Sequence, residues 1–254
     1  MDVPGRHLST VVSNAHLSDP SVSQPAYGLT VSPEAADSSL QAIWPKDLAT
    51  LPGHPSATSR LKRAIDILGG GVGLAATALI AIPIAIAIQI DNPGPILYSQ
   101  TRCGYRGRLF RIWKFRSMVQ NAEQVKHLVE NQAQGLIFKN EADPRITRVG
   151  KFLRRTSLDE FPQFLNVLKG EMSLVGTRPP TLDEVSQYAP HHWQRLNVKP
   201  GITGTWQAQG RSTVKDFEAI VAMDLTYQHQ WSVGYDLKLI LKTVAAVLLR
   251  KGAC

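Results

Sequence analysis

Between Asp66 and Asp91 the chain carries no charged side chain, and from Ile67 to Ile90 only Thr77 and Gln89 are clearly polar. That length meets the roughly 20 residues needed to cross a bilayer core as one helix. Buried helices of soluble proteins are seldom this long and this free of charge, so the segment predicts a membrane helix. Its orientation follows from the flanks. Lys46, Arg60, Lys62 and Arg63 precede it, and Arg102, Arg106, Arg108 and Arg111 follow it. A spanning helix normally shows an asymmetry of basic residues, and balanced flanks suit a segment whose two ends face the same compartment. Pro83 cannot donate to the Leu79 carbonyl and predicts a kink. Residues 60–91 therefore read as a broken, re-entrant membrane helix.

The rest divides around that segment. Residues 1–59 hold seven of the 16 prolines, many Ser and Ala, and no sustained periodicity, which reads as a mostly disordered N-terminal tail. No basic start leads into an apolar core there, so the tail is not a secretory signal. The tail has a balance of −3, which leaves +11 on the remainder of a chain whose net charge is +8. A basic body implies an anionic partner: nucleic acid, a phosphorylated small molecule or an anionic lipid surface. The only cysteines, Cys103 and Cys254, show no metal-ligand spacing and suit a reducing compartment.

Residues 92–254 read as one α/β catalytic domain, helix-rich and irregular in topology. Ile96–Ser99 and Leu109–Phe115 read as strands around a basic loop, and Asn121–Gln134 has helical composition. Arg154–Lys169 reads as one helix or two short pieces, Lys199–Gly204 as a rigid loop, and Phe217–Gln230 as a helix. In Tyr235–Arg250, Leu237, Ile240, Leu241, Val244, Val247 and Leu248 share one face while Lys238 and Lys242 occupy another. Such a helix either lies in a membrane interface or packs on the domain core.

Chemistry concentrates in Arg154-Arg155-Thr156-Ser157-Leu158-Asp159-Glu160-Phe161-Pro162-Gln163, where two guanidiniums precede two carboxylates. Ser157 and Glu160 match a capping box, so a purely structural role is one reading. The functional reading has Asp159 ionised near a helix start marked by Pro162 and able to attack phosphorus, giving an acyl phosphate. Glu160 could then ligate a divalent cation, while Arg154 and Arg155 neutralise incoming phosphate. Lys114 and Arg116 form a further basic pair, on a strand edge. Arg178, before Pro179-Pro180, is aimed by a stiff backbone and suits a phosphate clamp. Lys199 and Arg211 add cations on Pro- and Gly-flanked loops. Asp224 reads as a surface acid of its helix.

Other motifs carry less. Gly71-Val72-Gly73-Leu74-Ala75-Ala76 fits the dinucleotide fingerprint formally. The segment after it is apolar on all sides and contains Pro83, whereas a dinucleotide-domain helix should be amphipathic. Its small residues suit helix packing. The seven histidines show no metal spacing, and His191-His192 reads as a surface turn.

Arg60–Asp66 leading into the apolar run, Lys114-Phe115-Arg116-Ser117-Met118, Arg154–Pro180, Lys199–Arg211 and Trp231–Lys242 together resemble the bacterial sugar transferases, the monotopic polyprenyl-phosphate phosphoglycosyl transferases. The resemblance covers about residues 60–251. It implies transfer of sugar-1-phosphate from a UDP-sugar to undecaprenyl phosphate, feeding exopolysaccharide, capsule, O-antigen or glycoconjugate synthesis. It places Asp159 as nucleophile, Glu160 as a Mg²⁺ ligand, Lys114 and Arg178 among the binding cations, and Asp224 as a later acid of the site. It also implies a bacterial inner membrane with the catalytic domain on the cytoplasmic face, contact with membrane lipids, and a kink at Pro83; a homodimer is compatible with it. Two departures stand out. Ile82 replaces the family's frequent serine before that proline, and Thr177 replaces the first proline of its G-P-R-P.

Two rivals are separable. A membrane-tethered nucleic-acid-binding protein shares the basic balance, but the chain lacks a binding motif and interleaved aromatics, so no nucleic-acid partner is expected. A nucleotide-sugar hydrolase would release UMP without a polyprenyl phosphate.

Overall fold

The computed structural model describes residues 45, 52–209 and 214–248. Most of the tail and Arg211 lie outside them. The last residues assigned to the tail are structured. Helix α1 (Pro55–Thr58) is capped by His54, whose Nδ1 accepts from Ser56 N–H while Nε2 donates to the Gln228 carbonyl at 3.0 Å.

Helix α2 (Arg60–Asp91) is continuous over 32 residues and contains Pro83, so the break expected there is not formed. Pro83 and Leu79 are both exposed, which puts the ring and the carbonyl it leaves unbonded on the outer face. Beyond the proline, Ile84 and Ile88 pack with Phe115 and Leu153 and hold the helix to the domain. Among the described residues it is the one helix long and apolar enough to cross a membrane.

One face of α2 is bound to the domain along its whole length. Lys62 Nζ donates to the Val175 carbonyl at 3.0 Å and pairs with Asp236 at 2.6 Å. Asp66 Oδ1 accepts from Ser173 Oγ and Leu174 N–H, both at 2.9 Å. Thr77 Oγ1 donates to the Phe161 carbonyl at 3.2 Å, and Asp91 accepts from Val149 N–H at 2.8 Å. Gly73 permits the close approach: a Cβ there would stand 2.4 Å from the Phe164 ring. The opposite face exposes Leu68, Val72, Leu79, Ile82 and Ile90.

Strands β1 (Leu97–Cys103) and β2 (Leu109–Phe115) form an antiparallel hairpin with Leu97 opposite Phe115. Residues 121–134, expected helical, are turns and irregular chain with the 3-10 turn Lys126–Leu128 and an isolated β-bridge from Gln134 to Asp216. Helix α3 (Arg148–Thr156) and helix α4 (Phe164–Lys169) flank the 3-10 turn Leu158–Gln163, which resolves the Arg154–Lys169 block into three pieces. Strand β3 (Ser173–Val175) is followed by helix α5 (Leu182–Val185) and the 3-10 run Pro190–Asn197. Strand β4 (Gly201–Thr203) lies inside the loop expected at 199–204 and pairs parallel with β3. Helix α6 (Thr205–Gln209) and helix α7 (Phe217–Gln230) come next.

Helix α8 (Val233–Leu248) contacts the core through Leu239, fully buried against Tyr227 and Val175, and through Asp236. Tyr227 Oη donates to Asp236 Oδ1 at 2.8 Å and Trp231 Nε1 to Oδ2 at 3.1 Å, so the Asp236 carboxylate joins α2, α7 and α8. Of the apolar face read from sequence, Leu237, Leu241, Val244 and Val247 are exposed.

Candidate active site

The acid pair sits at a sharp reversal. Ser157 adopts φ 57°, ψ 16°, closing α3 as its C-cap, with its N–H bonded to the Arg154 and Leu153 carbonyls. It makes no side-chain cap bond to the following turn, so the capping box foreseen from sequence is not how Ser157 is used. A left-handed conformation costs a serine about 1 kcal/mol, and strain of this kind gathers at functional sites. Here it turns the chain so that Asp159 and Glu160 follow directly behind Arg154 and Arg155. Asp159 is buried, whereas Glu160 is part-exposed.

A single cleft of about 1370 Å³ is lined by Asp159 and Glu160 together with Lys114, Arg116, Arg154, Arg155 and Arg178. Lys114 Nζ reaches Glu160 Oε1 at 3.0 Å. Arg154 Nε donates to Ser117 Oγ at 3.0 Å, which ties α3 to the end of β2. Arg155 is exposed. Arg116 is mainly a brace: its guanidinium donates to the Asn92 and Pro93 carbonyls at the end of α2, and burial lowers its pKa.

Arg178 Nη1 meets both Glu184 carboxylate oxygens, at 3.1 and 2.9 Å. Burial works against charge on both partners, but their attraction outweighs it: Arg178 rises above its ordinary pKa and Glu184 falls below its own. Glu184 is in turn held at the start of α5, where its N–H donates to Thr181 Oγ1.

Sequence reasoning missed three parts of this wall. Arg102 donates to the Pro179 carbonyl at 3.0 Å and to Gln100 Oε1 at 2.7 Å, bracing the loop that holds Arg178. Burial first, then the neighbouring Arg178, pushes Arg102 down to about 10. Glu184 could have been suspected from Thr181, three residues ahead of it in a capping pattern. Asp143 and Arg145 form a buried fork on the cleft, at 2.9 and 2.7 Å. Burial alone would raise the Asp143 pKa; Arg145 reverses that and holds it low.

Two predicted residues are not brought to the cleft. Asp224 is not a surface acid: it is buried, with Oδ2 2.8 Å from Arg195 Nε and 2.7 Å from Nη2. Burial raises its pKa against the pull of Arg195. Its helix is apolar on the face toward the core, and Arg195 arrives from the distant 3-10 run, a partner that spacing does not show. Lys199 stands apart, beside Arg63. Arg211 is outside the described residues.

The histidine pair is half buried rather than a simple surface turn. His192 is covered, and its Nε2 and that of His191 face Glu218 at 2.7 and 3.0 Å. Both ligand spacing and charge would suit a metal. However, His192 Nδ1 accepts the Ala189 N–H, so Nε2 keeps its proton and offers a metal no lone pair.

Residues 57–250 match the family model described as bacterial sugar transferase. The chain belongs to this family. It is 47% identical over 240 residues to the galactosyl transferase CpsE of Streptococcus agalactiae serotype III (strain NEM316), which covers 90% of this chain and 53% of that protein. It is 41% identical over 202 residues to the UDP-glucose:undecaprenyl-phosphate glucose-1-phosphate transferase of Escherichia coli (strain K12), covering 76% of this chain and 41% of that one. With the exopolysaccharide production protein ExoY of Sinorhizobium fredii (strain NBRC 101917 / NGR234) it shares 37% over 198 residues, 76% of this chain and 87% of that protein. The chain thus spans about half or less of the first two relatives and most of the third.

Proposed function

We propose that this family member transfers sugar-1-phosphate from a UDP-sugar to undecaprenyl phosphate at the cytoplasmic face of the bacterial inner membrane, supplying polysaccharide synthesis. The observation that carries the reading is a buried aspartate facing a cleft walled by Lys114, Arg154, Arg155 and Arg178. Such a cleft concentrates anions and offsets the charge of a diphosphate. The name of the Escherichia coli relative, a UDP-glucose:undecaprenyl-phosphate glucose-1-phosphate transferase, agrees with it.

A carboxylate oxygen of Asp159 attacks the phosphorus that bears the sugar. The bond from that phosphorus to the bridging oxygen breaks, and UMP leaves with the electron pair. A phosphate oxygen of the lipid then attacks the phospho-aspartyl phosphorus, releasing the Asp159 carboxylate and forming the polyprenyl-diphosphate sugar. Neither step needs a proton shuttle, which suits a site rich in fixed cations. Lys114 shares its charge between Glu160 and the incoming phosphates, and Arg178, pre-aimed by Glu184, orients them.

The donor chemistry fits Mg²⁺: the hard carboxylate of Glu160, which the ion would share with Lys114, and room for substrate oxygens to complete the shell. Glu160 would hold the ion, which supplies charge neutralisation of the diphosphate.

The membrane placement is supported by α2 and α8. Both ends of α2 are bonded to one polar domain, at Lys62 and Asp66 and again at Asp91. Crossing the bilayer would draw that domain into hydrocarbon. A helix lying partly within one leaflet leaves its bonded face on the domain and its exposed leucines and isoleucines in lipid. The exposed Leu237, Leu241 and Val244 of α8 fit an interfacial helix.

The deciding experiment incubates purified protein with UDP-sugars, with and without undecaprenyl phosphate. UMP should appear in proportion to lipid acceptor. Steady multiple-turnover release without lipid would make the protein a hydrolase, and no release from any UDP-sugar would end the reading.

A further inference from the structure

We propose that Arg63 and Lys199 form a binding site for the phosphate of an anionic phospholipid headgroup, separate from the catalytic cleft. The proposal rests on the membrane reading of α2 given above.

Gly170 closes α4 at φ 81°, a conformation that favours glycine. The Arg63 guanidinium carbon and the Lys199 ammonium each lie 3.6 Å from where a Cβ of Gly170 would stand. Two cations thus face one bare backbone position. Arg63 is fixed by donating to the Val167 and Leu168 carbonyls, both at 2.7 Å, which uses two of its five N–H groups.

The acids nearby are engaged. Asp236 pairs with Lys62, and Asp66 Oδ1 accepts from Ser173 and Leu174. Among the described residues, Lys199 forms no ion pair. It is part-buried, and burial, then Arg63, push its pKa down against the pull of the Asp66 carboxylate. A fold that sets an ammonium and a guanidinium against the nearby Asp66, which forms no ion pair of its own among the described residues, is relieved by a further anion. A phosphate diester fits: the planar fork of Arg63 can bind two oxygens while Lys199 acts as a point charge.

Position selects the lipid over a soluble phosphate. Lys199 does not line the cleft. The cluster stands next to the first exposed apolar residues of α2, Leu61, Ile67 and Leu68, with Leu165 of α4 also exposed. Headgroup phosphates lie at this boundary between polar and apolar surface.

The test compares the full chain on vesicles of phosphatidylcholine with and without phosphatidylglycerol, by flotation. Wild type should prefer the anionic vesicles. Lys199→Gln and Lys199→Met should each cut the anionic preference about fivefold, the worth of one cation at such a surface, and leave binding to phosphatidylcholine unchanged. Lys199→Arg should restore it. The control Lys215→Gln removes an exposed lysine paired with Glu141. Loss of preference in Lys215→Gln equal to that in the Lys199 variants, or retention of full preference by both Lys199 variants with native melting curves, overturns the proposal. So does saturation of the site by millimolar inorganic phosphate with no lipid dependence. If wild type binds neither vesicle, the membrane reading itself fails, which is a separate result.

Discussion

Lys114 Nζ and Glu160 Oε1 are 3.0 Å apart, joining β2 to the turn that carries Asp159. The pair is part-exposed, so its worth to stability is small, and its effect falls on the electrostatics of the cleft. Lys114→Met leaves Glu160 beside Asp159 without that cation and should lower kcat/KM about 100-fold, the scale of losing one charged donor at a developing anion. Lys114→Arg should recover most of it. UMP-release kinetics on both variants check this, and a Lys114→Met enzyme within threefold of wild type would remove Lys114 from the site.

Asp159→Asn keeps side-chain size and removes the nucleophilic oxygen. Turnover should fall at least about 1000-fold. Donor labelled in the sugar should leave acid-quenched wild type covalently labelled and the variant unlabelled. Near-normal rates in the variant would assign the attack to another group.

How these residues come together was only partly legible beforehand. The acid pair, its arginines and Lys114 stand in short runs, so local spacing placed them. Helix α7 has the bounds read from sequence, and in the structure Asp216 caps its start, accepting from Ala219 N–H at 3.0 Å. The Arg178–Glu184 clamp, the Arg102 brace and the Arg195–Asp224 pair depend on loops with no periodicity, and long-range ion pairs leave no signature in spacing. Residues 121–134 have helical composition, yet they line the cleft as turns, held in part by the bond from Gln134 N–H to the Lys215 carbonyl. Tertiary contact overrode propensity there. Pro83 was read as a break because the packing of Ile84 and Ile88 that carries the helix through it cannot be seen in one segment.

Asp224 and Arg195 predict a stability effect in place of a catalytic one. Both are almost fully buried. Removing one charge strands the other, so Asp224→Asn should cost about 3 kcal/mol, visible as a lower urea midpoint. The KM for donor should stay within about twofold in the folded fraction. An unchanged midpoint with a tenfold higher KM would place Asp224 in the substrate site after all.

Glu184 sets an acid limit. Its folded-state pKa lies below its unfolded value, with burial opposing and Arg178 dominating. Its contribution is therefore complete above the unfolded pKa of roughly 4.3 and is lost as pH falls through the depressed folded value. Melting temperature should decline below about pH 4 in wild type, and Glu184→Gln should show a shallower decline with a lower plateau near neutrality. Identical slopes would show that the clamp is not formed in solution.

The placement of α2 gives a topological prediction. Its two ends are bonded to the same domain, so residues on either side should lie in one compartment. Thr58 and Pro95 are exposed and flank the helix. Cys103 is fully buried, so a Cys254→Ser background leaves little other reactive thiol. In that background Thr58→Cys and Pro95→Cys should both resist a membrane-impermeant maleimide in intact spheroplasts. Both should react once the inner membrane is opened, since the two ends of the 32-residue helix are bonded to the same domain. Reaction of the Thr58→Cys protein in intact spheroplasts, with Pro95→Cys still protected, would mean that the helix spans the bilayer and that its bonds to the domain at Lys62 and Asp66 are not made in the membrane.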